Sequence, residues 1–76
     1  DTVKSNILLD KFVKQARADI AYMNSLSDKS EGAAAAQFDL SVIGNIVNNA
    51  KMNGRNDVYD RIMPILQELS AQVPRQ

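Results

Sequence analysis

Residues 33–50, AAAAQFDLSVIGNIVNNA, decide the fold. Within them Ala33, Ala36, Leu40, Ile43, Val47 and Ala50 recur at spacings of three, four, three, four and three, the period of one face of an α-helix. Ala33 to Ala36 is the strongest helix-forming run in the chain. Asp39 offers one alternative, as the cap of a helix that starts at Leu40, with the alanines forming a separate turn. The stripe keeps phase through Asp39, which favours one continuous helix over about 31–52. Ser27 or Ser30 is placed to cap its start. Asn53-Gly54 is a stop signal, because glycine takes the left-handed conformation at little cost.

The same period extends on both sides of this segment. Upstream, Leu9, Val13, Ala16, Ile20 and Met23 follow spacings of four, three, four and three, and Leu8 and Phe12 widen the stripe. Strand alternation fails there, because Ile7-Leu8-Leu9 and Phe12-Val13 would put apolar groups on both faces. A helix over about 4–24 is expected, capped by Ser5 or Thr2 and ended by the turn-forming run Asn24 to Asp28. Downstream, Tyr59, Ile62, Leu66, Leu69 and Val73 repeat at three, four, three and four. Asn56 is the expected N-cap of a helix over about 57–72, with Asp57 and Asp60 near the positive end of its dipole. Pro64 lacks an amide hydrogen and crowds the carbonyl of Asp60, so a kink is expected there, and Pro74 marks the end.

Three short stripes of threes and fours predict a small all-α three-helix bundle, a single helical domain over 1–76 that associates as a dimer. A domain of 76 residues has one small core. With no cysteine and no histidine, neither disulfides nor the usual zinc sites can reinforce it, which leaves helix packing and association. Ile7, Leu8, Phe12, Phe38, Val42, Ile46, Val58 and Ile65 lie beyond the narrow stripes. Some complete the monomer core, but together they exceed what so small a monomer needs.

Nine basic residues balance nine acidic ones, so the chain lacks the charge footprint of a nucleic-acid binder. No apolar run approaches the ~20 residues that cross a bilayer. The first residue is Asp1, consistent with a mature exported form, a trimmed chain or a fragment. Localisation stays open, with the cytoplasm favoured.

The chemistry is mostly exclusion. Without histidine and cysteine, the commonest general base and the thiol nucleophile are gone, and no serine lies in a nucleophile motif. Asp28/Glu31 and Asp57/Asp60 are carboxylate pairs three apart, but both sit at expected helix starts, where the dipole explains them. No enzyme activity, cofactor or metal is expected. Gly32, Gly44 and Gly54 are too dispersed to cradle phosphate. Gly44, in mid-helix, marks either a close helix approach or a tolerated defect on the solvent side. Asn45, Asn48 and Asn49 share a helical face, a recognition surface or simply a solvated one.

Ala50, Gly54 and the helix that follows are superficially similar to a helix-turn-helix. Asn53 and Arg55 stand where apolar packing is wanted, however, and Pro64 falls in the supposed recognition helix. Asn53-Gly54-Arg55 with Tyr59 to Met63 bears a faint likeness to ribbon-helix-helix repressors, but no strand supplies their ribbon. Acyl carrier proteins match in size only, since Asp39-Leu40-Ser41 has their motif in the wrong order. Lys4, Lys11 and Lys14 fall within about 80° on the first helix, bordered by Arg17, and form the candidate basic face. A solvated face accounts for them.

The run Asp39 to Asn49 resembles a segment of small helical bacterial proteins of uncharacterised function. Ile43 to Val47 and Asn53 to Asn56 resemble, more loosely, the small biofilm and acid-resistance regulators of enteric bacteria. Either likeness spans under a third of the chain; it implies a helical dimer in bacterial regulation and is too short to assign a family. The expectation from the residues themselves is a helical protein–protein interaction module: a homodimeric regulator, adaptor or inhibitor of a protein partner. Leu8, Phe12, Phe38, Val42, Ile46, Asn45, Asn48 and Asn49 form its candidate surface. The alternatives are a dimeric DNA-binding regulator, with nucleic acid disfavoured by the charge balance, and an assembly or chaperone-like subunit of a secretion or phage structure.

Overall fold

The computed structural model describes residues 2–74, and for residues 2, 3 and 5 the backbone alone. Three helices follow one another: α1 over Thr2–Ser25, α2 over Ser30–Met52 and α3 over Asn56–Ser70. There is no strand among the described residues. The expected all-α three-helix bundle is what forms, each helix within about two residues of its expected span.

The ends are where local chemistry departs from expectation. Neither Ser27 nor Ser30 caps α2. The Asp28 carboxylate does so from outside the helix, accepting from the Ser30 amide at 3.0 Å and the Ser30 hydroxyl at 2.6 Å. These two bonds hold the Asp28 carboxyl below its ordinary range, side-chain bond first. Asn56 is the first residue of α3 rather than its cap; Arg55 precedes it and makes no side-chain capping bond. The Ser5 or Thr2 cap of α1 lies outside the described side chains. At the end of α2, Gly54 takes φ +80°. Its amide donates to the Lys51 carbonyl, and the Arg55 amide donates to the Ala50 carbonyl at 2.8 Å, the paired bonds of a Schellman motif.

Asp39 does not start a helix; α2 runs unbroken through it. Pro64 is exposed inside α3, which continues from Asn56 to Ser70, so the proline does not break it. Beyond Ser70 the chain leaves the helix but stays on the bundle. Val73 is buried, and the Pro74 carbonyl accepts from Gln37 Nε2 of α2 at 2.9 Å.

Short linkers make neighbouring helices antiparallel, so α3 runs parallel to α1. Two polar links between them fix that direction. Arg61 reaches back to Asn6 and Asp10 at 2.8 and 3.0 Å, and Glu68, one stretch further, reaches Arg17 at 3.7 Å. The core follows the stripes read from the sequence, except that Val58 joins it from outside them and Val13 and Ala50 are only half-buried. Leu9, Ala16, Ile20 and Met23 meet Ala33, Ala36, Leu40, Ile43 and Val47, closed from α3 by Val58, Ile62, Leu69 and the trailing Val73. In α3 the buried residues are Val58, Ile62 and Leu69, while Tyr59 and Leu66 are half-buried. Tyr59 instead carries the Lys51 ammonium 4.2 Å above its ring.

Of the two helical glycines, Gly32 and not Gly44 is the one that packs tightly against a neighbouring helix. A Cβ at Gly32 would lie 2.9 Å from both Cα and Cβ of Met23, so α1 and α2 meet there almost backbone to backbone. A Cβ at Gly44 would meet only Leu66 Cδ2, at an ordinary 3.8 Å. Bundle dimensions are 42 × 21 × 15 Å, a slab with its helices laid lengthwise.

Candidate functional site

The α1–α2 hairpin has two sides, and α3 covers only one. On α1, Asn6, Asp10 and Arg17 mark the covered side by their bonds to α3. On α2, Gln37, Gly44 and Lys51 mark it by their contacts with Pro74, Leu66 and Tyr59. At 100° per residue, the opposite side of each core line holds a second stripe in fours and threes. It reads Leu8, Phe12, Gln15, Asp19, Tyr22 on α1 and Ala35, Asp39, Val42, Ile46, Asn49 on α2.

Because Met23 meets Gly32, the antiparallel register is fixed. Running the two stripes against each other in that register pairs Phe12 with Ile46, Gln15 with Val42, Asp19 with Asp39, and Tyr22 with Ala35. Phe12, Val42 and Ile46 are half-buried, the first and last of them packed on the core. Leu8 is 48 % exposed and Tyr22 62 %. At the end of this side, Ile46 and Asn49 line a groove with Leu9, Asn53 and Val58.

One layer is polar. Asp39 is only 9 % exposed although it is an aspartate in mid-helix. Its Oδ2 is buried and has no hydrogen-bond partner. Facing it is Asp19, half-buried, whose Oδ1 accepts from Gln15 Nε2 at 3.1 Å. Burial pushes the Asp39 carboxyl up to about 6 from its ordinary 3.8; the hydrogen bond to Asp19 and the Asp19 charge push the same way. The arrangement suits one proton held between two carboxyls. It does not suit a metal: among the described residues no group of three or more metal-binding side chains occurs.

The candidate surface expected from the sequence is divided by the structure. Leu8, Phe12, Val42, Ile46 and Asn49 fall on the open side of the hairpin. Phe38, 67 % exposed, sits at its edge. Asn45 and Asn48 are exposed on the outer back of α2, away from the second stripe. Of the other apolar residues outside the narrow stripes, Val58 is fully buried and Ile65 packs on the core, whereas Ile7 remains 52 % exposed. Lys4, Lys11 and Lys14 are exposed on α1, and Arg17 is turned aside to Glu68. The carboxyl pair is absent from every motif read in the sequence. Its signal was there, since Asp39 stands in phase with Val42 and Ile46, but pairing it with Asp19 needs the helix register. No helix of the described residues is long and apolar enough to cross a membrane.

Compared with known protein families, curated proteins and solved structures, the chain gives no match.

Proposed function

We propose that this chain is a non-enzymatic helical interaction module that acts as a homodimer, its open α1–α2 side covered by a second copy. The observation that carries the reading is the second stripe on both helices of the hairpin, in which Leu8, Phe12, Tyr22, Val42 and Ile46 turn apolar surface away from α3 at the period needed to interdigitate with another helix pair. Two helices about 35 Å long and about 10 Å wide present roughly 700 Å², close to the ~800 Å² per partner of a standard stable interface. A formal charge of zero sets up no long-range repulsion between copies.

Sedimentation equilibrium over a wide concentration range tests this, with Leu8→Glu and Phe38→Glu as variants. Both side chains are too exposed for the monomer fold to depend on them. The expected result is a wild-type dimer and monomeric variants that keep their circular dichroism. A wild type that stays monomeric at every concentration and pH sinks the reading.

A further inference from the structure

We propose that the Asp19–Asp39 pair gates self-association of the open hairpin side by proton uptake, sealing between copies when it holds a proton and holding them apart when doubly charged. The inference rests on the homodimer reading above.

The geometry is that of two carboxyls in one layer of a mixed apolar and polar face, between Tyr22 and Ala35 on one side and Gln15 and Val42 on the other. Asp39 is more than nine-tenths buried, and one of its oxygens has no donor. An ionised carboxylate in that position is poorly solvated, and a second copy laid over it removes the remaining water. A proton taken from solvent onto Asp39 neutralises it and supplies a donor toward Asp19. No neighbouring cation does this instead. From α1 the titratable group facing Asp39 is Asp19, already bonded to Gln15. On α2 itself the charged side chains, Glu31 and Lys51, lie more than two turns away, and Lys51 is held over Tyr59. Arg55 lines the far end of the groove beside Asn49 and Asn53. The paired charged groups of α3, Arg61 and Glu68, engage Asp10 and Arg17 on the covered side, and Asp57 and Asp60 are exposed near its start.

The test is sedimentation equilibrium from pH 5 to pH 8 at constant ionic strength, on the wild type, Asp39→Asn and Asp19→Asn. Circular dichroism at each pH confirms that all three are folded. One proton per copy predicts that the wild-type dissociation constant rises on the order of tenfold or more between pH 5 and pH 7.5. Asp39→Asn is expected to lose that dependence and to associate at pH 7.5 about as tightly as the wild type does at pH 5. Asp19→Asn removes the second charge and is expected to flatten the profile as well. A wild-type dimer indifferent to pH overturns the gate alone, as does an Asp39→Asn variant that keeps the wild-type profile. A chain monomeric throughout overturns the homodimer reading and the gate with it.

Discussion

Replacing each of two glycines of α2 by alanine shifts stability in opposite directions. At Gly44, in mid-helix, alanine is favoured over glycine by about 1 kcal/mol through backbone entropy. The new methyl would meet only Leu66 Cδ2 at 3.8 Å, so nothing has to move. Gly44→Ala is expected to stabilise the fold by about 1 kcal/mol, or roughly 4–8 °C in Tm for a domain of this size. At Gly32 the same methyl would lie 2.9 Å from the Met23 Cα, a backbone atom that cannot rotate away. The ends of α1 and α2 must then part by somewhat under 1 Å, loosening the fully buried Met23 and Ala36. Such overpacking costs about 1–3 kcal/mol. The propensity gain is small only three residues into the helix, so Gly32→Ala is expected to lose about 1–2 kcal/mol. Urea unfolding followed at 222 nm, at one protein concentration and one pH for all chains, reads both changes. A destabilised Gly44→Ala, or a Gly32→Ala at least as stable as the wild type, would refute the packing argument.

Further expectations follow from individual side chains. Pro64→Ala restores an amide donor for the Asp60 carbonyl and should raise stability by about 1–2 kcal/mol in the same assay; a loss would mean that the proline's limit on the unfolded chain dominates. Arg61→Ala breaks an exposed ion pair and a bond to Asn6, and should cost about 1 kcal/mol or less; a loss of several would show that α3 depends on these links for its placement. Asp39→Asn should be more stable than the wild type at pH 7.5 by up to about 3 kcal/mol and nearly equal to it at pH 4. The sign follows from the raised folded-state value near 6: the native chain holds the proton more tightly than the unfolded one, so stability is full below about pH 4 and is lost as pH rises through 6. Equal stability at both pH values would place Asp39 in a wetter setting than its burial implies. No retardation of duplex DNA is expected at low salt, because Lys4, Lys11 and Lys14 stand with Asp10 close by and Arg17 engaged.

The helices and most of the core were legible because burial imposes the period directly: Leu9, Ala16 and Met23, or Ala36, Ile43 and Val47, can share a face in only one kind of structure. The caps were less so. Ser27, Asp28 and Ser30 all precede the same apolar stripe, and which oxygen reaches the first free amide depends on the path of a four-residue linker. The significance of the glycines was inverted. Mid-helix position drew attention to Gly44, whereas the glycine packed tightly against α1 is Gly32, against Met23. The carboxyl pair failed for the same reason, since each aspartate alone is an ordinary polar residue on an amphipathic helix. Asn45, Asn48 and Asn49 were grouped by spacing, but the core line places only Asn49 beside the second stripe.

The two sides of the hairpin also bear on how the chain finds its fold. As synthesis proceeds, α1 and α2 exist before α3, and each side then offers it a stripe of the same period. Landing on the wrong side would press Ile62 and Leu69 against Asp19 and Asp39 and strip water from two carboxylates, at a cost of several kcal/mol per ion. The correct side has Asn6, Asp10 and Arg17 along its rim to receive Arg61 and Glu68. On this argument a buried acid on one side of the hairpin disfavours docking of the last helix there.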